Sequence, residues 1–341
     1  DAPAPPESAD QRSALIAAAT AVELGALRAL IAAGANVNRV CGGLTALLAA
    51  TRDSFDGRIS AVLTLLANGA DPNLADDAGN TPLHFAASTR DAAVAQSLLD
   101  VGARIDAVNR EGMTPLALAC EAGNFVVVEF LIKLGALSDV EGTTPALLFA
   151  AAVDGDDARG VRRLLKARAK VDARGPQGRS ALMVAALADN AEIAEALLAA
   201  GADVDATDEA GNCALLEAAR AGANRVLRRL LFHKPDASCR DSRQRSALHL
   251  AARAGNADVE SVRLLLALGC DPRALDESGH TAAEPAASAG RWPLVRELDP
   301  DYPIPSAHLV DEDEGEEPTG LIEPDPPGRL LVRAALQGRF P

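Results

Sequence analysis

The sequence is short of aromatic residues: 7 Phe, 1 Trp and 1 Tyr in 341 residues, or 3%. A hydrophobic share of 48% must therefore come mostly from Ala, Leu and Val, which build thin, close-packed layers and favour helix. Lysine is scarce as well. Of 33 basic residues only Lys133, Lys166, Lys170 and Lys234 are lysines, an Arg- and Ala-rich bias typical of GC-rich genomes, so a bacterial source is expected. No run of about 18 uncharged apolar residues occurs, and no membrane contact is expected from this segment. The N-terminus has no charged start, apolar stretch and cleavage site.

Motifs that carry chemistry are missing too. There is no GxxxxGK[ST] phosphate loop and no GxGxxG. The five cysteines (Cys41, Cys120, Cys213, Cys239, Cys270) are odd in number and far apart, with no CxxC and no histidine at metal-ligand spacing. Reduced thiols in a cytoplasmic, reducing compartment are the expected state, with no metal bound. His233, His280 and His308 lie far apart, and no Ser/His/Asp or Cys/His set is present. Carboxylate pairs such as Asp76/Asp77 and Asp208/Glu209 sit in turn sequences that are expected to be solvated, poor ground for acid–base chemistry. No catalytic residue and no cofactor are expected, and the chain is read as non-enzymatic.

The net charge of −15 is unevenly spread. Residues 1–298 carry 38 acidic and 30 basic side chains, whereas residues 299–341 carry 10 and 3. The acidity argues against nucleic-acid binding. Eight basic residues between Arg159 and Arg179, and the group Arg225, Arg228 and Arg229, are the exceptions. A row of aligned positions reads Gln96, Glu129, Arg162, Glu195, Arg228, Arg263, Arg296 and alternates in sign at its centre. Ion-pair rungs between neighbouring segments account for much of that basic charge, and aromatics for stacking bases are few.

What the chain does have is a repeat. GNTPLHFAA at Gly79 returns as GMTPLALAC at Gly112, GRSALMVAA at Gly178, GNCALLEAA at Gly211, QRSALHLAA at Gln244 and GHTAAEPAA at Gly279. Weaker copies begin at Arg12, Gly43 and Gly142. The Thr/Ser/Cys position recurs at 13, 45, 81, 114, 144, 180, 213, 246 and 281, a mean step of about 33.5 residues, the range of helical repeat architectures. About 20 residues later comes a second signature, as in GANVN at Gly34, GADPN at Gly69, GARID at Gly102, GADVD at Gly201 and GCDPR at Gly269. The fifth copy, around Pro145 to Phe149, has an ambiguous register.

Each letter has a local reason. Thr81 is suited to cap a helix, and Pro82 to its first position, where a missing N–H costs nothing. Ala86 and Ala87 allow close helix approach, Leu98 and Leu99 face the core, and Gly102 ends the second helix in a left-handed conformation. Asp76 to Gly79 form a turn. A single copy cannot cover its apolar face, so stability comes from stacking on neighbours.

Together these motifs resemble the ankyrin repeat over about residues 12–298, in nine units. The resemblance implies a mainly α solenoid of helix–turn–helix units with projecting β-hairpin or finger loops. It also implies that His84 and His249 bond backbone in the adjoining loop, a structural duty rather than a catalytic one. Residues 1–11 are expected to be disordered or linker. Residues 299–329, with seven prolines and an acidic run, read as an extended linker. Within residues 330–341, Ala334–Pro341 match Ala286–Pro293 at several places, and the segment reads either as the first helix of a further repeat or as a capping helix. On the former reading the chain is a fragment of a larger protein.

The resemblance further implies a non-catalytic protein–protein interaction scaffold, binding a partner through a concave face and finger tips. A regulatory or targeting module of a larger enzyme, transporter or secreted effector remains the alternative. The positions free to specialise are Asp77, Asn80, Arg110, Met113, Glu121, Arg179, Leu187, Asn212, Arg220, Arg243, Arg245 and Arg253. The eighth-repeat arginines are expected to recognise an acidic or phosphorylated protein segment, or the chain's own acidic tail, Asp311 to Glu317.

Overall fold

A computed structural model describes residues 9–52, 58–89, 92–153, 155 and 157–303. Among them are eighteen α-helices in successive pairs, with no strand beyond one isolated bridge between Cys41 and Leu44. The chain divides into two compact units, residues 1–150 with 166–169, and residues 151–165 with 170–341.

The N-terminal unit contains α1 (Ala9–Thr20), α2 (Leu24–Ala32), α3 (Ala46–Arg52), α4 (Arg58–Ala67), α5 (Pro82–Ser88), α6 (Ala92–Asp100), α7 (Pro115–Glu121) and α8 (Phe125–Lys133). Odd-numbered helices pack on one another as one layer and even-numbered helices as the second. The ambiguous fifth copy forms α9 (Ala146–Ala151), at the boundary of the units, and α10 (Arg159–Lys166). In the C-terminal unit, α11 (Ala181–Leu187), α13 (Ala214–Ala221), α15 (Ala247–Arg253) and α17 (Ala283–Ser288) make one layer. The other consists of α12 (Ala191–Ala199), α14 (Asn224–His233), α16 (Val259–Ala267) and α18 (Trp292–Leu298).

The core between layers is Leu and Ala. Leu27, Leu65, Leu83 and Leu98 are fully buried, with Ala46, Ala61, Ala86 and Ala95 filling the narrow spaces between helix axes. Each such leucine gains roughly 1.5–3 kcal/mol from leaving water. Leu99 is only partly buried, so Leu98 carries that turn of α6 into the core.

The local letters behave as their chemistry requires. Pro82 and Pro115 open α5 and α7, and Thr114 Oγ1 accepts the Ala117 N–H at 3.2 Å. Gly102 follows α6 at φ +90°. Asp76 Oδ1 accepts N–H groups of Ala78 and Asn80 at 2.9 and 2.8 Å, closing the turn. Adjacent fingers are joined by single backbone bonds, such as Arg110 N–H to the Ala78 carbonyl at 2.9 Å. Within each finger one backbone bond closes the two arms, as from Asp76 N–H to the Asn80 carbonyl at 3.0 Å, so among the described residues the projections take the finger-loop form without forming strands.

Bonds between repeats use particular letters. The last residue of the second signature accepts an N–H from the following repeat: Asn38 from Asp71 at 2.7 Å, Asn73 from Arg104 at 2.8 Å, Asp205 from Asp236 at 2.7 Å. His84 accepts the Thr81 N–H at Nδ1 (3.1 Å), and its Nε2–H donates to the Met113 carbonyl of the next repeat at 3.1 Å. His249 does the same between Ser246 and His280, at 3.3 and 2.9 Å. Asn190 Nδ2 donates to the carbonyls of Ala151 and Val153 at 3.0 Å each. Arg291 has a comparable place before α18 and donates to the carbonyls of Ala254 and Ala257.

Ion-pair rungs between repeats are present, but with partners other than those of the aligned row. Arg162 pairs with Glu192 at 3.4 Å, Arg228 with Glu260, and Arg263 with Glu297 at 2.5 Å. All three arginines are solvent-exposed, where screening leaves such pairs little weight. Among the described residues no helix is long and apolar enough to cross a membrane.

Candidate functional site

The twelve sequence-derived positions fall into two groups, one in each compact unit. In the N-terminal unit Asp77 and Arg110 are exposed on finger tips, and Asn80 and Glu121 are half-buried. Asn80 is already engaged, its Oδ1 accepting the Asn109 side-chain N–H at 2.8 Å. Met113 is only 4% exposed and lies within the core. It is removed from the contact surface because its position faces inward, under the His84 bridge.

In the C-terminal unit Arg179 and Asn212 are also buried and unavailable. Arg179 Nη2 donates to Glu217 Oε1 at 2.8 Å, and its Nε is 3.7 Å from Asp208 Oδ2. Asn212 Nδ2 donates to Asp208 Oδ2 at 3.0 Å, and Asn212 Oδ1 accepts from Arg220 Nη2 at 2.7 Å. Glu217 is wholly buried on α13, at the place where α15 has Leu250. Burial raises its carboxyl above the ordinary carboxylate value, against the opposing charges of Arg179 and Arg220. This buried cluster joins the sixth and seventh repeats. Its sequence signal was a glutamate at an otherwise apolar helix position. Leu187 is half-buried at the end of α11, and Arg220 is half-buried with its guanidinium turned into the cluster.

The remaining arginines converge. Arg243 and Arg245 sit on the eighth-repeat finger and Arg253 at the end of α15, and together they line a pocket of about 120 Å³ with Asp276, Glu277 and Ser278. Arg253 also lines the neighbouring groove of about 730 Å³, with Asp276, His280, Glu284, Pro285, Ser288, Ala289 and Tyr302. Arg245 is tied to Asp241, with Nη2 2.6 Å from Oδ2. Burial pushes the Asp241 carboxyl up, but its bonds from Arg245 and Arg243 outweigh that and hold it below the ordinary aspartate value. Arg243 and Arg253 are exposed, and their guanidinium groups face solvent without an ion pair in the described structure. Across the groove, His280 lies 3.8 Å from Asp276 and 3.6 Å from Glu284. Cationic and acidic side chains thus line the same groove, with Arg253 and Asp276 common to it and to the smaller pocket.

The finger that carries the arginines is strained. Gln244 has φ +57°, where the aligned residues of other fingers are glycines, including Gly79, Gly112, Gly211 and Gly279. A side chain there costs about 1–2 kcal/mol, held in place by Asp241 Oδ1 accepting the Arg243 and Arg245 N–H groups at 3.0 and 2.9 Å. Among the described residues no three His, Cys, Asp or Glu side chains converge to hold a metal ion.

Comparison with known families decides what this architecture is. The family model described as ankyrin repeats (3 copies) matches residues 54–144, 135–208 and 215–302, more than two thirds of the chain. The chain is an ankyrin-repeat protein. Its ankyrin fold is similar to the crystal structure of the human ASB11 ankyrin repeat domain, at 29% identity and a TM-score of 0.57, covering 65% of this chain and 96% of that domain. A search of curated proteins finds no match. Ankyrin repeats are generally non-catalytic protein–protein interaction modules, and the finger tips and first helices of this ankyrin array carry the groove just described.

Proposed function

We propose that this chain is a non-catalytic interaction scaffold that holds an acidic segment of a partner protein in the groove of the eighth and ninth repeats. The observation that carries this reading is the pair of exposed, unneutralised guanidinium groups, Arg243 and Arg253, flanking one pocket on a strained finger. Guanidinium groups of this kind recognise carboxylates and phosphates by paired N–H donation. Glu284, which lines the groove but not the arginine pocket, limits how far an acidic segment runs along α17 before meeting like charge. Asp77 and Arg110 are proposed as additional contacts for a partner on the N-terminal unit, and Glu121 and Leu187 as first-helix contacts.

The chain's own run Asp311 to Glu317 has the same chemistry and lies outside the described residues. A fluorescein-labelled peptide of the sequence DEDEGEE tests the groove directly by anisotropy. Replacing both Arg243 and Arg253 by glutamate should weaken binding by about tenfold or more and flatten its dependence on salt. Unchanged affinity and unchanged salt dependence would sink the proposal. A full-length chain in which the six acidic residues of the run are made neutral separates the sources: stronger peptide binding by that variant identifies the tail as a competing occupant.

A further inference from the structure

The cysteines, scattered in sequence, are not scattered in space. Cys213 occupies the helix N-cap position where other repeats have Thr81, Thr114, Ser180 and Ser246. Those hydroxyls can accept a backbone N–H, as Ser180 does from Met183 at 3.4 Å, whereas the larger sulfur of Cys213 faces the backbone N–H groups of Leu215 and Leu216 more weakly. Its Sγ also faces Cys239 Sγ at 2.9 Å, across 26 residues of chain. Cys239 lies at the root of the eighth-repeat finger, where the preceding repeat has the small buried residue Ala206. Both are free thiols.

We propose that Cys213 and Cys239 form a reversible disulfide, a modification site that staples the eighth-repeat finger to the start of α13. A disulfide has an S–S length of about 2.05 Å, so the two sulfurs need to close by only about 0.9 Å. Cys213 is 1% exposed, while Cys239 is half-buried and opens the pair to a small oxidant. Hydrogen bonding from Cys239 lowers the pKa of the Cys213 thiol below its ordinary value, and the same bond, with burial, raises that of Cys239. Of the two, Cys213 gives up its proton the more readily and is the sulfur that supplies the thiolate.

The oxidant is hydrogen peroxide. A thiolate of the pair attacks one peroxide oxygen, the O–O bond breaks, and the hydroxide released takes up a proton as water. The second sulfur then attacks the sulfenic acid so formed, the S–S bond forms, the S–O bond breaks, and a second water leaves. Two thiols lose two electrons and two protons in all, and peroxide is reduced to two waters. A thiol reductant reverses the step by exchange. The bond anchors the root of the finger that bears Arg243 and Arg245, so the oxidised chain has a stiffer groove edge.

Full-length protein treated with hydrogen peroxide, blocked with an alkylating agent and digested with trypsin should yield peptides Ser180–Arg220 and Leu230–Arg240 joined in one species. Dithiothreitol should separate them. Oxidation should also raise the thermal midpoint by several degrees. Cys213→Ser and Cys239→Ser should each abolish both effects, and Cys270→Ser should leave them unchanged. Serine at 213 is the residue found at 180 and 246, so that variant keeps a competent cap and a native fold. The proposal is overturned if Cys239 is instead oxidised singly to sulfinic acid, or if the linked species joins Cys270 or a second chain.

Discussion

Replacing Gly222 by alanine probes how closely one repeat must approach the next. Gly222 ends α13 at φ +66°, and a β-carbon built there would stand 2.8 Å from both the carbonyl carbon and oxygen of Asn256 and 2.9 Å from the Ala257 nitrogen. These are backbone atoms of the following repeat and have no rotamer by which to yield. Gly290, after α17, has φ +69° and nothing within 4 Å of the same β-carbon. Both substitutions place alanine in the left-handed region, which costs about 1–2 kcal/mol. Only Gly222→Ala adds overlap, worth about 1–3 kcal/mol more because a packed region must shift to accept a methyl group. The totals are then about 2–5 kcal/mol for Gly222→Ala and about 1–2 for Gly290→Ala. Urea unfolding of the two variants measures the difference by helical ellipticity and by fluorescence of Trp292, the sole tryptophan, in α18. Equal costs would show that the close approach at Asn256 relaxes freely and that backbone conformation alone explains the glycine.

Three further outcomes follow from buried polar contacts. Arg179→Met leaves the fully buried Glu217 carboxylate with Arg220 Nε no nearer than 3.8 Å, and should destabilise by about 3–5 kcal/mol in urea titrations; adding Glu217→Leu should recover most of it, and failure to recover would refute a charge-burial cause. Burial keeps the His84 imidazole below its ordinary pKa of 6.5, so above that value the residue is neutral in both states, and as pH falls through it only the unfolded chain takes up a proton. Stability should therefore drop on acidification from about pH 7 toward pH 5.5, with a shallower slope in His84→Gln; parallel slopes would rule out this histidine as a source. Asn190→Ala abandons two carbonyl acceptors, Ala151 and Val153, and should cost about 2 kcal/mol, against a few tenths if water replaces the amide.

Much of the architecture could be read from single letters because its causes are local. Thr81 and Pro82 start a helix, Gly102 ends one and Asp76 folds a turn through atoms at most four residues away. His84 was legible as a structural imidazole only through the family resemblance, because its bond to the Met113 carbonyl lies in the next repeat. The final Asn or Asp of the second signature was visible as a recurring letter, yet its duty is an acceptor for a backbone N–H some thirty residues on. Arg179 shows where the reading failed. It precedes a capping serine just as Arg245 does, but the residue four before it is Gly175 where Arg245 has Asp241, so its own finger offers it no carboxylate. Arg179 is buried because Glu217, 38 residues later, takes the other end of its charge, whereas Arg245 pairs with Asp241 on its own finger and stays partly in solvent.

The sequence by itself determined the repeat, its helix caps and turns, the Ala and Leu layers and the absence of aromatic cores, since each follows from backbone preference and apolar period within about 33 residues. The tertiary structure alone decided which of twelve surface-like positions are surface, that Met113, Arg179 and Asn212 are not, that Arg243 and Arg253 share a pocket, and that Cys213 meets Cys239. The physical reason is that side-chain exposure and pairing depend on the face that each neighbouring repeat presents, and that face is set by stacking between repeats, not by the order of letters within one.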